Sequence, residues 1–146
     1  MKKWRIILLL FVPLLWMACI KPKGKATNEK VSVLLQKNTW RVTEYYKEEV
    51  NFSNLLSGYA FTFLSDGSVK AFKNGNTFLG SWKDTISIDS FNVEHEAIKF
   101  EFQNSKPINE LNKNWEVAEK RTKYIHLKNL EREHGGYNHV FFKLND

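Results

Sequence analysis

The chain has 146 residues, the size of one domain, since domains commonly run to roughly 100–200 residues. Its 42% hydrophobic and 14% aromatic content exclude a disordered chain, and a single cysteine, Cys19, excludes a disulfide framework or a cysteine-rich zinc site. Lys2, Lys3 and Arg5 hold half of the formal charge of +6, and the weakly basic remainder argues against a nucleic-acid partner.

Met1–Arg5 is short and basic, and Ile6–Ile20 is almost uninterrupted apolar sequence. Wound as a helix, that stretch would span about 22 Å, short of the roughly 30 Å hydrocarbon core of a bilayer. Such a pattern reads as a secretory signal, in which Pro13 is tolerated. It ends in Leu14-Leu15-Trp16-Met17-Ala18-Cys19, which resembles a bacterial lipobox, with Trp16 where Leu is usual. Residues 1–18 are therefore expected to be a lipoprotein signal peptide and Cys19 the acylated first residue of the mature chain. Ile20 in place of Asp after the cysteine points to the outer membrane, lipid-anchored and facing the periplasm. Residues 19–30 read as a polar lipidated tether of roughly 35 Å when extended, with Lys21, Lys23, Lys25 and Lys30 free to approach anionic headgroups.

Residues 31–146 form the expected folded domain. Val31, Leu34 and Leu35 have helical spacing, so Val31–Lys37 is a predicted short helix with Asn28 as its N-cap. Beyond it the hydrophobic period changes to two. Trp40/Val42, Tyr59/Phe61/Phe63, Val69/Ala71, Phe78/Gly80/Trp82, Ile86/Ile88, Ile98/Phe100/Phe102, Trp115/Val117, Ile125/Leu127 and Val140/Phe142/Leu144 each alternate with polar partners. Ser65-Asp66-Gly67-Ser68, Lys73-Asn74-Gly75-Asn76 and Lys83-Asp84 are the predicted turns between early strands. Without long helices between strands, a βαβ fold is excluded, and one apolar face per strand favours a barrel. The predicted fold class is all-β: an antiparallel up-and-down barrel of eight to nine strands with a short N-terminal helix.

Asn38-Thr39-Trp40, Phe61-Thr-Phe-Leu-Ser-Asp-Gly-Ser-Val69, Gly80-Ser-Trp82 and Leu111-Asn-Lys-Asn-Trp115 occur in that order. This run resembles the small lipocalin-like lipoproteins of Gram-negative bacteria, within the calycin group of eight-stranded barrels. It departs from them at Asn38, where lipocalins usually carry Gly. The resemblance implies a fold more than a ligand.

If the strands simply alternate up and down, Trp40, Trp82 and Trp115 fall at one end and form an aromatic barrel floor. The opposite end then collects Glu44, Tyr46, Tyr59, Lys73 and Glu119 as a polar mouth, in which Lys73 should pair with Glu44 or Glu119. Glu44, Tyr59, Lys73 and Glu119 are the candidate ligand site, for a small molecule with a polar head and an apolar body directed at the phenylalanines. The competing expectation is that Phe61, Phe63, Phe78, Phe100, Phe102 and Phe142 fill the barrel solid, leaving a protein-interaction or envelope-structural module. In Lys47–Ser57, Phe52, Leu55 and Leu56 are expected to form a lid over a barrel end. No pattern for catalysis stands out, so the chain is expected not to be an enzyme and to use no cofactor. His134 and His139, with Glu131 and Glu133, match no established metal spacing, and His126 reads as an exposed strand residue. A monomer is expected.

Overall fold

The computed structural model describes residues 24–103, 106–130 and 135–145. Its elements run α1 (Val31–Lys37), β1 (Thr39–Lys47), β2 (Val50–Asn51), α2 (Ser53–Leu56), β3 (Ala60–Phe63), β4 (Ser68–Lys73), β5 (Asn76–Ile88) and β6 (Glu94–Phe102). A 3-10 turn, η1 (Ile108–Leu111), precedes β7 (Asn114–Arg121), β8 (Tyr124–Leu130) and β9 (Tyr137–Leu144). Strands β1 and β3 to β9 pair antiparallel in chain order, and β1 also pairs with β9, with Trp40 opposite Leu144 and Val42 opposite Phe142. The result is a closed eight-stranded barrel, and β2 is an extra strand folded back on the end of β1. Closure removes the free edges that an open sheet of this hydrophobicity would expose.

Alternation places one row of each strand inside. Trp40, Phe61, Phe63, Val69, Ala71, Ile98, Phe100, Phe102, Trp115, Ile125, Leu127, Val140 and Phe142 are all buried. Their rings meet edge-on or tilted, as in Phe61–Phe142 at 5.6 Å and Phe63–Phe100 at 5.8 Å between centroids. Each such side chain contributes about 1.5–3 kcal/mol through burial. The interior is filled by rings, not hollow.

Both ends are closed as well. Val31, Leu34 and Leu35 of α1 enter the end where β1 begins. Ile108 and Leu111 of η1, with Leu56 of α2, enter the end where β1 finishes. Tyr45 and Lys47 of β1 reach Glu110 of η1 there, at 3.2 and 3.6 Å. The expected lid therefore exists in part: Leu56 is the plug, while Phe52 and Leu55 stay half exposed.

Three local expectations need correction. Lys83-Asp84 is not a turn: β5 runs straight through it, with Lys83 opposite Lys99 and Asp84 opposite Ile98 in the unbroken β5–β6 ladder. Polar residues with low strand preference are held extended by pairing on one side. The chain instead reverses at Asp89–Val93, where Asn92 takes a φ of 61° and the Asp89 carboxylate accepts from the amides of Phe91 and Val93. The second correction concerns α1, whose N-cap residue is Lys30 with no side-chain cap, not Asn28. Its first amide, Val31 N–H, donates 2.6 Å to Glu96 Oε1 of β6, so a carboxylate distant in sequence does the capping. Third, residues 24–26, expected as free chain, are docked on the barrel. Ala26 bridges to Arg121, and Lys25 exchanges hydrogen bonds with Thr122, so residues 24–26 are fixed to the β7–β8 turn.

Candidate functional site

Fusion of two predicted strands into β5 reverses the direction of every strand counted after it, and this changes the tryptophan arrangement. Trp40 is fully buried and donates its indole N–H to the carbonyl of Leu35 in α1, at 3.1 Å. Trp82 is 7% exposed and donates to Leu64 in the β3–β4 turn, also at the α1 end. Trp115 is fully buried but donates to Leu111 of η1, at 2.8 Å, so it serves the opposite end. The three do not form one floor. Trp40 and Trp115 each hang a closing segment from the core by one indole hydrogen bond.

The expected polar mouth also comes apart, because β1 and β7 each carry a bulge. The register slips between Val42 and Glu44 on β1, and between Val117 and Glu119 on β7. One extra residue moves everything beyond it to the other face. Tyr45 therefore turns inward and Glu44 outward, while Lys120 turns to the inner face and Glu119 to the outer. Glu119 Oε1 accepts from Arg121 at 2.6 Å, and Glu44 accepts from the Tyr46 hydroxyl at 3.3 Å. Lys73 pairs with neither. Its Nζ donates to the Ser57 carbonyl at 2.6 Å and lies 4.6 Å over the Tyr59 ring. Tyr59, packed on Phe61 and Phe78, borders a 360 Å³ cleft with Arg41, Val42 and Gly58, where β1 and β3 part company.

The outward pair instead frames a patch that the sequence pattern did not reveal. Across the outer wall, Glu44, Phe141, His126 and Glu119 stand opposite one another in one row of β1, β9, β8 and β7. His126 stacks on Phe141 at 4.2 Å and lies 2.9 Å from His139 between Nε2 and Nδ1, so it is a packed, half-buried residue. Tyr124 is 4% exposed beside Phe141. Burial, then the charges of Glu119 and Glu44, push its hydroxyl up to about 12. His134, Glu131 and Glu133 lie outside the described residues, as does Cys19. Among the described residues no group of three or more His, Cys, Asp or Glu is placed to hold a metal ion.

The larger cleft lies at the α1 end. It measures about 570 Å³ and is lined by Lys30, Asp84, Thr85, Ile86, Glu96 and Lys120. Its geometry follows from the two features just described. The length of β5 and β6 carries the inner-face residues Asp84, Ile86 and Glu96 past the rim, and the β7 bulge aims Lys120 at them. Lys120 Nζ meets Glu96 Oε2 at 2.6 Å, while the other oxygen of Glu96 caps α1. Both side chains are less than one-third exposed, so the pair is partly desolvated. The cleft thus offers two cations, two carboxylates and the exposed apolar flank of Ile86. None of these residues was among the expected ligand site, since strand parity beyond a bulge leaves no mark in a hydrophobic pattern.

The fold defines the chain as a closed eight-stranded antiparallel barrel. It is similar to the crystal structure of a DUF4847 family protein from Bacteroides vulgatus ATCC 8482, with a TM-score of 0.54 and 17% identity over 79% of this chain and 97% of that one. That likeness is one of fold. No protein-family model and no curated protein matches the chain.

Proposed function

We propose that this protein is a lipid-anchored, lipocalin-like barrel of the cell envelope that binds a small amphipathic ligand at the rim, in the α1-end cleft, rather than inside the barrel. The observation that carries the reading is the 570 Å³ cleft, which is the size of a small-molecule site and combines converging charges with an apolar wall. Lys30 and Lys120 balance Asp84 and Glu96, which suits a zwitterionic head better than a purely anionic or cationic one. The basic start, the apolar run and Ala18-Cys19 support the anchor. The role is binding, not catalysis.

The test is an amide NMR titration with dodecylphosphocholine below its micellar concentration. Shifts confined to residues 84–86, 96 and 120 are expected, and Ile86→Glu should abolish them. Shifts spread evenly over the barrel, or none up to millimolar ligand, would refute the ligand site. The filled interior favours a second reading, a solid envelope module that presents surfaces to protein partners. Failure of the titration would select it.

A further inference from the structure

We infer that the β5–β6 hairpin tip is a membrane wedge that enters the lipid surface to which the chain is anchored. This rests on the anchored reading of Cys19 and adds a second point of contact. Around the tip, Ile88 is 55%, Phe91 86% and Val93 50% exposed. Exposed apolar residues clustered on one protrusion mark an interaction surface, whereas scattered ones do not.

The position of the tip names its occupant. With antiparallel alternation, the β5–β6 hairpin and the β7–β8 turn lie at the end where α1 enters. Residues 24–26 are pinned to that β7–β8 turn through the Ala26–Arg121 bridge and the Lys25–Thr122 hydrogen bonds. Cys19 precedes Gly24 by only five residues, a reach of about 17 Å. An acyl anchor on Cys19 therefore holds this end of the barrel, and no other, against the bilayer. Lys25 and Lys123 are exposed beside the pinned segment and can meet phosphate headgroups, while Lys30 faces Asp84 in the cleft.

The tip is also built to leave water. The Asp89 carboxylate accepts from the amides of Phe91 and Val93, the Asp89 amide donates to the Val93 carbonyl, and the Asn92 amide donates to the Asp89 carbonyl. His95 holds the second carboxylate oxygen at 2.9 Å. Backbone groups satisfied within the turn lose little when the surrounding water is replaced by lipid.

The test uses the acylated mature protein, in which Cys19 is blocked and a new cysteine carries the only nitroxide label. Labelled Phe91→Cys, Val93→Cys and, at the opposite end, Asn54→Cys are bound to vesicles of equimolar phosphatidylethanolamine and phosphatidylglycerol. The expected result is flotation of all three, with labels at 91 and 93 several-fold more accessible to oxygen than to a water-soluble nickel relaxant, and the label at 54 the reverse. Flotation with the tip labels in water overturns the wedge and leaves the anchor standing. Flotation with dipolar coupling between tip labels reports pairing of two copies and also overturns it. Failure to float, with no lipid adduct on Cys19 by mass spectrometry, overturns both.

Discussion

Replacing Trp115 with Phe isolates what one indole N–H does at the η1 end. The ring stays in the core, but the Leu111 carbonyl loses its 2.8 Å indole donor and keeps only the Lys113 amide at 2.7 Å, in a site where Leu111 is 1% exposed. Losing one of two such hydrogen bonds costs about 0.5–1.5 kcal/mol. The smaller ring adds a void of roughly 40 Å³, worth about 1 kcal/mol at ~24 cal/mol per Å³. The sum, about 1.5–2.5 kcal/mol, is a fair share of a typical stability of about 5–15 kcal/mol but does not abolish the fold. In urea the midpoint should fall by about 1 M, at a slope of about 2 kcal/mol per M. Native-state hydrogen exchange then locates the damage. Trp115→Phe should speed exchange at Glu110 and Asn112, whose amides are bonded within η1, and leave Leu34 in α1 at the global rate. Trp40→Phe should do the converse, because its partner is Leu35. If both variants loosen the same end, the assignment of the two indoles to opposite closures is wrong.

Gly80→Ala should lower stability by about 1–3 kcal/mol in a thermal melt, because an added Cβ would stand 2.5 Å from the Phe102 ring and 2.8 Å from the Glu101 carbonyl; a neutral substitution would contradict that contact. Glu96→Ala should cost about 2 kcal/mol, since it removes both the α1 cap and the Lys120 partner, whereas Lys120→Ala should cost less; circular dichroism and urea melts decide, and equal effects would deny Glu96 its capping role. Absorbance titration should show Tyr124 ionising at about 12, so its contribution to stability is complete below about pH 10 and lost as pH rises through that folded value; Tyr124→Phe should remove this late phase. The Asp89 carboxyl is held below its ordinary value by the His95 hydrogen bond first, then by the amides of Val93 and Phe91. Its contribution is therefore present above about pH 4 and lost as pH falls through the folded value, and His95→Asn should move the carboxyl upward in a carbon-detected NMR titration.

Alternation was enough to read the barrel, the α1 span and nearly every buried ring, because period-two burial is written in residue types. Strand direction was not legible beyond Trp82. Lys83-Asp84 has the composition of a turn, and only its partners on β6, Lys99 and Ile98, hold it extended. The site failed for a related reason. Glu44 and Glu119 lie at the far side of bulges that follow Val42 and Val117, and a bulge depends on pairing with β9 and β8 rather than on local sequence. Glu96 and Lys120 were overlooked because a capping carboxylate 65 positions from the amide it serves leaves no local motif.

The same two bulges make tolerance to insertion and deletion uneven around this molecule. At the Lys73–Asn76 hairpin, Asn74 and Gly75 sit at positive φ, both are exposed and Gly75 faces open space, so a change of length there is absorbed outside the barrel. Deleting Thr43 would only remove the bulge, since Val42, Glu44 and Tyr45 already stand opposite the consecutive residues Phe142, Phe141 and Val140. A residue inserted between Glu44 and Tyr45 acts instead as a parity switch: fully buried Tyr45 would turn outward and lose the Glu110 contact that secures the far closure. A residue inserted between Glu119 and Lys120 would likewise turn Lys120 away from Glu96 and leave that carboxylate without its partner at the rim. The lengths of β1 and β7 beyond their bulges, counted to the single residue, are thus under tighter constraint than the bulges themselves.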